Sequence, residues 1–208
     1  MSRYTESKCK LCRREGEKLF LKGTRCEGEK CAITRRNYAP GQLGKNKFGK
    51  QTEYGRHLRA KQKARRIYGI SEKQFADYYA KADKQHGVTG TALLQLLETR
   101  LDNVIYRSGF ASSRNQARQI VNHGLVRLNG RRVDIPSITV KIGDKFEIRE
   151  KDKGSALFEE AKKNKKFKSP KWLNAEVGNL KGEVLGMPEK DDAESNIDTQ
   201  LIVEYYSK

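Results

Sequence analysis

The sequence has 208 residues and is strongly basic, with 44 Lys and Arg residues against 26 Asp and Glu and a formal net charge of +18. Because 36% of the residues are hydrophobic and 34% are charged, we expect one to three small cores with broad charged surfaces. This charge favours a polyanion as partner. No apolar run approaches the ~18 residues of a membrane span, and no signal-type apolar core follows Met1, so we expect a soluble, cytosolic protein with no membrane partner.

The positive charge is concentrated in the first third of the chain. Residues 1–70 carry 20 basic and 6 acidic residues, residues 91–150 carry 10 and 6, and residues 151–208 carry 11 and 11. The N-terminal third therefore produces most of the electrostatic field.

All 4 cysteines lie in the first 31 residues, as Cys9-x2-Cys12 and Cys26-x4-Cys31. Two short loops that each offer two thiolates are typical of a closed, structural zinc site. An iron–sulfur cluster is the alternative, because four cysteines also hold one. Two disulfides or four unrelated thiols are the disfavoured alternatives, since nothing in the sequence marks secretion and cytosolic disulfides are uncommon.

The basic residues around and after the cysteines are predicted to contact RNA. In the cysteine segment they are Arg13, Arg14 and Lys22. In the turn-rich connector of residues 32–50, which Pro40-Gly41 interrupts, they are Arg35, Arg36, Lys45 and Lys47. A flexible linker that becomes ordered only on binding is the alternative to a preformed loop.

Two helices are predicted next, the first over residues 54–68 and the second over residues 71–82. The first helix has bases on more than one face and no acids along its length, so a polyanion would stabilise it. Its predicted RNA contacts are Arg56, Arg59, Lys63, Arg65 and Arg66. In the second helix, Phe75, Tyr78 and Tyr79 have helical spacing and are predicted core residues.

The stretch from Leu93 to Ile148 combines helical and strand patterns. Apolar residues from Leu93 to Ile105 predict one amphipathic helix, with Arg100, Asp102 and Asn103 on its other faces. A capping box at Ser113-Arg114-Asn115-Gln116 starts a second helix, and Gly124 ends it.

The strand region begins at a hairpin turn, Asn129-Gly130, and further alternation at 138–142 and 146–148 surrounds a Gly143-Asp144 turn. Bases on the second helix and on the hairpin should cluster on one surface and bind a phosphate backbone. The N-terminus of the second helix, at Ser113, should contribute to this binding. The predicted RNA contacts in this stretch are Ser113, Arg114, Asn115, Arg118, Arg127, Arg131 and Arg132.

The C-terminal third predicts a helix over 156–167 that runs into lysines up to Lys168, a strand pair around 175–185 and an acidic linker over 189–194. Trp172 and Leu173 are expected to pack on the central stretch. A last helix carries Leu201, Ile202, Tyr205 and Tyr206. No phosphate-binding Gly-rich loop or nucleophile constellation is present, and the three histidines have no evident partners, so we expect no catalysis.

The stretch LLETRLDNVIYRSGFASSRNQARQIVNHGLVRLNGRRVDIPSITVKIGD resembles the RNA-binding domain named after bacterial ribosomal protein S-four. The segment EYGRHLRAKQKARRIYGISEKQFADYY and the connector from Tyr38 to Gly44 are also similar to this family, although Leu43 replaces the usual histidine. The resemblance covers nearly the full chain. Many members of the family carry a four-cysteine module like this one.

The resemblance implies a structural protein of the small ribosomal subunit that binds small-subunit ribosomal RNA, nucleates assembly and contributes to translational accuracy. Its implied partners are neighbouring ribosomal proteins and messenger RNA, either at the entry channel or from its own operon. A free regulatory RNA-binding protein, or the RNA-binding part of an RNA-modifying enzyme, is the alternative reading.

We therefore expect an α+β protein with three parts. Residues 1–45 form a four-Cys metal module and basic connector, and residues 46–92 form a helical lobe that the C-terminal helix 197–208 rejoins. Residues 93–196 form an inserted RNA-binding domain of two helices packed on a small antiparallel β-sheet, with a C-terminal extension.

Overall fold

The computed structural model describes residues 4–45, 50–163, 167–194 and 196–207. The chain divides into two units. Unit 1 is formed by Met1–Leu93 with Glu194–Lys208, and unit 2 is formed by Leu94–Ala193.

Helices make up the first part of the chain. They are α1 (Lys8–Glu15), α2 (Thr24–Glu27), α3 (Ala32–Arg35), α4 (Glu53–Tyr68), α5 (Glu72–Asp83) and α6 (Thr89–Glu98). The ends of α4 follow local rules, because the Thr52 hydroxyl accepts a hydrogen bond from Gly55 N and Gly69 ends the helix with a left-handed φ of 65°. Ser71 caps α5 in the same way, through Gln74 N at 3.3 Å.

Unit 2 combines helices with a five-stranded antiparallel sheet. Its elements are α7 (Leu101–Arg107), α8 (Arg114–Asn122), β1 (Val126–Leu128), β2 (Arg131–Val133), β3 (Lys145–Ile148), α9 (Ala156–Lys163), β4 (Leu173–Glu176) and β5 (Lys181–Val184). The strand order is β2-β1-β3-β5-β4. Apolar side chains of all three helices, such as Ile105, Ile120 and Phe158, form one core with Phe146 and Trp172. The strand pair predicted near 175–185 thus extends the hairpin sheet.

The last helix, α10 (Thr199–Tyr206), packs against α4 within unit 1. Ile202 is buried there, and the ring of Tyr206 stacks on Tyr79 with centroids 4.5 Å apart. Of the helices in the described ranges, none is both long and apolar enough to cross a membrane.

The prediction of one continuous helix through Leu93–Ile105 is wrong. The chain leaves the helix at Thr99 and Arg100 and starts α7 at Leu101. Backbone bonds to a distant segment cause the break, because Leu101 N donates to Ile138 O at 2.8 Å and Val140 N donates to Thr99 O at 2.9 Å. The segment 138–142, predicted to alternate as a strand, contributes only an isolated bridge from Thr139 to Arg100.

Candidate RNA interface

The start of α8 presents backbone N–H groups in a fixed geometry. The Ser113 hydroxyl accepts from Gln116 N at 3.3 Å, as the predicted capping box requires. The Gln116 side chain reaches back one residue further than predicted, to Ser112, whose N and Oγ both donate to Gln116 Oε1 at 2.7 Å. A helix of nine residues that starts in this way favours an anion at its N-terminus.

Arg114, the first residue of α8, is held against α7. Its Nε donates to Asn103 Oδ1 at 2.8 Å, and its guanidinium lies 4.5 Å from the centre of the Tyr106 ring. The side chain is therefore ordered in the protein alone. Asn115, next to it, is half-buried.

Arg118 does not lie on an open basic face, as the sequence had suggested. Only 7% of its surface is exposed, and its Nη1 lies 3.7 Å from the Asp102 carboxylate. That carboxylate also accepts two hydrogen bonds, at 3.0 and 2.8 Å, from the fully buried Arg100. Arg100, Asp102 and Asn103, which were predicted on the other faces of one amphipathic helix, instead form a buried, paired polar cluster inside unit 2. An RNA contact by Arg118 stays a prediction.

The hairpin carries three exposed arginines, Arg127, Arg131 and Arg132. Arg127 and Arg132 are directly opposite each other in the antiparallel pair β1–β2. Like charges in this position repel, and Glu147 of β3, directly opposite Arg127 on its other side, offsets part of that repulsion. An anion over the hairpin would offset the rest. The turn between the strands is the predicted one, with left-handed φ angles of 49° at Asn129 and 78° at Gly130.

The basic helix α4 is less open than its sequence suggests, because acids from other segments of unit 1 pair with it. Glu15 pairs with both Arg59 and Arg66. The remaining pairs are Lys63 with Glu17 at 2.6 Å, Lys61 with Glu72 at 2.6 Å and Arg65 with Glu72 at 3.3 Å. Burial raises the pKa of Glu15, although the charges of Arg66 and Arg59 oppose the shift.

A cleft of about 280 Å³ lies beside these pairs and is lined by basic residues of both α1 and α4. They are Arg14, Arg56, Arg59 and Lys63. The exposed Arg56 and Arg14 give this cleft a basic rim, although three acids, Glu15, Glu17 and Asp198, also line it.

Two of the predicted RNA contacts in the N-terminal segment form hydrogen bonds to the backbone of the connector. Arg13 Nε donates to Tyr38 O at 2.9 Å, and its guanidinium lies 4.6 Å from the Tyr38 ring centre. Arg14 donates to Pro40 O. The other predicted contacts described here, Lys22, Arg35, Arg36 and Lys45, are exposed. Lys47 lies outside the described residues, as do Lys165 and Lys166 of the predicted lysine run.

The four cysteines lie within α1, within α2 and just before α3, and none is in a disulfide. Cys12, Cys26 and Cys31 are buried, and Lys22 N lies 3.4 Å from Cys26 Sγ as a donor. Burial raises the pKa of Cys12, and the neighbouring sulfurs raise it further. Four thiols, three of them beside backbone donors, have the chemistry of a thiolate metal site. As placed, however, no three Cys, His, Asp or Glu side chains in the described ranges are arranged to hold a metal ion.

Two family models match the chain in succession. One described as "Ribosomal protein S4/S9 N-terminal domain" matches residues 3–98, and one described as "S4 domain" matches residues 99–146. Two relatives are named small ribosomal subunit protein uS4. The one from Solidesulfovibrio magneticus is 56% identical to this chain and the one from Syntrophomonas wolfei is 52% identical, each over the full length of this chain and of the relative. The chain belongs to the uS4 family. A relative from Alkaliphilus oremlandii, named uS4A, is 54% identical over the same extent.

In this uS4-family chain, the S4 domain match begins at Thr99, where α6 gives way to α7. The match contains the α8 start, Arg114 and the hairpin arginines. It also contains Asp102 and Asn103, which we had not singled out as site residues. No sequence signal separated them, because polar residues between the apolar positions are ordinary for an amphipathic helix. Glu15, which pairs with Arg59 and Arg66, was missed because the pairing joins residues more than 40 positions apart.

Proposed function

We propose that this chain is a structural constituent of the small ribosomal subunit, in the cytoplasm, and binds small-subunit ribosomal RNA directly. The observations that carry the proposal are two basic features of unit 2, namely the α8 start with Arg114 and the hairpin with its exposed arginines Arg127, Arg131 and Arg132. Helix N-termini and arginines bind phosphate groups and position a protein on RNA without reading base sequence. Contacts to phosphates and 2′-hydroxyls would make the protein read RNA shape.

Single replacement of Arg131 and Arg132 by Ala tests the hairpin surface. Each change should weaken binding to small-subunit ribosomal RNA and reduce the slope of log affinity against log salt by about 1, because one phosphate contact is lost. Lys171→Ala, which removes an exposed base of unit 2 that is not a predicted contact, is the control. If both arginine variants match the Lys171→Ala protein in affinity and slope, the surface is elsewhere.

A second RNA-binding surface is proposed on unit 1, at the cleft with the Arg14 and Arg56 rim. The ion pairs to Glu15 and Glu17 hold Arg59 and Lys63 in place, which favours a preordered anion site. Hydroxyl-radical footprints of Arg56→Ala and wild-type complexes should differ at a small set of nucleotides. Identical footprints would remove this cleft from the interface.

Zinc is proposed as the resident metal, held by Cys9, Cys12, Cys26 and Cys31. Thiolates are its preferred structural ligands, and three of the four thiols are already buried beside backbone donors. Bound zinc would supply folding free energy to a segment that has little apolar surface of its own. Elemental analysis of the purified protein should give about one zinc per chain. Iron together with sulfide, in place of zinc, would indicate an iron–sulfur cluster. The absence of both zinc and iron would refute the metal site.

The wider roles implied by the family are also proposed for this chain. They are nucleation of subunit assembly, a contribution to translational accuracy, contacts with neighbouring ribosomal proteins, and contacts with messenger RNA. When the subunit is reconstituted without this protein, assembly should stop at an early intermediate particle. Assembly of a complete subunit without the protein would contradict the assembly role. We infer no enzymatic activity, so reproducible turnover of RNA or nucleotides that one point mutation abolishes would overturn that assignment.

A further inference from the structure

We infer that Asn103 and Tyr106 of α7 are positioning residues that preorder Arg114 for an RNA phosphate. The inference rests on the proposed RNA-binding function of Arg114. Neither residue is a predicted RNA contact. Both act through the arginine, one on its Nε and the other on the face of its guanidinium.

The amide of Asn103 is fixed in one orientation. Its Nδ2 donates to Glu98 O at 2.9 Å and to Glu98 Oε2 at 2.6 Å, while its Oδ1 accepts from Arg114 Nε at 2.8 Å. A flipped amide would set its oxygen against two acceptors and its NH2 group against a donor. Because Asn103 is also 2% exposed, it presents one acceptor, at one place, to Arg114.

Glu98 is itself immobilised, which makes the orientation of Asn103 rigid. It is fully buried and accepts two parallel hydrogen bonds of 2.9 Å from Arg107, a bidentate pair. Arg107, Glu98, Asn103 and Arg114 thus form a continuous chain of contacts from the interior of unit 2 to the start of α8. Such supporting contacts are what hold a functional side chain in its binding geometry.

Tyr106 restricts the remaining freedom of Arg114. Its half-buried ring lies 4.5 Å from the guanidinium carbon, within cation–π range. Arginine loses side-chain entropy when it is fixed on a ligand, and a side chain already fixed before binding loses less. We therefore expect the loss of either support to weaken RNA binding by roughly threefold to tenfold.

A double-mutant cycle on the full-length protein tests the inference. The variants are Asn103→Ala, Tyr106→Leu and Arg114→Ala, with each support variant also combined with Arg114→Ala. RNA affinity is measured for all of them. If the supports act through Arg114, each should weaken binding in the wild-type background and have little further effect once Arg114 is absent. Tyr106→Phe, which keeps the ring, should restore wild-type affinity.

Ser108→Ala is the matched control for a merely structural effect. Ser108 is a fully buried polar residue just after α7, and its hydroxyl donates to Val104 O at 2.7 Å. The Ser108→Ala variant should lose about as much thermal stability as the support variants, but its RNA affinity should be unchanged. If Asn103→Ala does not fold, the Tyr106→Leu arm decides alone, because Tyr106 lies at the edge of the core.

Three results overturn the inference, and they are distinguishable. Additive losses in the cycle, or wild-type affinity in both support variants while Arg114→Ala binds weakly, remove the positioning role but leave Arg114 as an RNA contact. Wild-type affinity in Arg114→Ala itself removes both the contact and its supports.

Discussion

Lys61 shows how a basic residue of α4 is used inside the protein. Its side chain is 4% exposed, and its Nζ lies 2.6 Å from Glu72 Oε1 and 4.6 Å from the centre of the Tyr205 ring. The Tyr206 hydroxyl donates to the same carboxylate oxygen at 3.1 Å. One carboxylate thus ties α4, α5 and α10 together.

Glu72→Gln should destabilise unit 1 near neutral pH and have little effect in acid. Burial alone would raise the pKa of Glu72, but its hydrogen bond from Lys61 and the charge of that lysine outweigh burial and lower the pKa below the ordinary 4.5. The unfolded chain then binds the proton more readily, so the stabilisation is present above that ordinary pKa and is lost as pH falls through the folded-state value. Hydrogen exchange of the α4 and α5 amides in wild type and Glu72→Gln, at about pH 7 and about pH 3, measures this stabilisation.

The control for this change is Asp77→Asn, which removes an exposed carboxylate from the same helix. It should change protection little at either pH. A difference between wild type and Glu72→Gln that is as large in acid as at neutral pH would show that the ionised pair is not the cause.

Charged residues were the hardest to place from sequence. Arg100 and Arg118 have the same side chain as the exposed Arg131 and Arg132, and no local pattern separates them. What distinguishes them is Asp102, whose carboxylate compensates both buried guanidinium groups. Such pairing depends on tertiary structure, so the sequence predicted a basic surface but not which arginines lie on it.

At the scale of elements, local chemistry predicted the ends and turns well. The Ser113 cap, the stop at Gly124 and the Asn129-Gly130 turn all depend on residues within a few positions of each other. The break between α6 and α7 depends instead on backbone pairing with residues 138–140, about 40 positions away. Helical periodicity across Leu97 and Leu101 continues through that break, so periodicity could not reveal it.

Gly182 lets the sheet of unit 2 continue from the hairpin side to the C-terminal strand pair. It pairs with Phe146 of β3 and Ala175 of β4, and the Phe146 ring lies across it. A Cβ at this position would lie 2.5 Å from Phe146 Cζ and 2.9 Å from Asn174 O. No side chain fits without displacing a core ring or the neighbouring strand.

Gly182→Ala should therefore lower the free energy of unfolding of unit 2 by about 1–3 kcal/mol, as overpacked cores do. Urea unfolding followed by the fluorescence of the buried Trp172, the only tryptophan, reports on this unit. Gly178→Ala is the matched control, because a Cβ there meets no atom within 4 Å. Equal stability of the two variants would show that the sheet adjusts freely at Gly182.

At the scale of the whole molecule, unit 2 and the cysteine segment of unit 1 have different sources of stability. Unit 2 has one continuous apolar core of helix and sheet residues, whereas the segment around the cysteines has a few buried apolar residues, such as Leu19, Leu21 and Ile33. Ion pairs from Glu15 and Glu17 then join α1 and the turn after it to α4. A metal in the cysteine segment would thus affect the basic cleft through these pairs.

Removal of the proposed zinc, by a chelator or by Cys9→Ser, should expose the first ~45 residues to protease while Leu94–Ala193 stays protected. RNA affinity should fall without being lost, because the α8 and hairpin surface of unit 2 does not depend on the cysteines. Limited proteolysis with fragment mass measurement, alongside an RNA titration, follows both effects. Cys9→Ser keeps the size of the side chain, so a change caused by packing alone should be small. Full protection and full affinity after the metal is removed would mean that the thiols have no structural role.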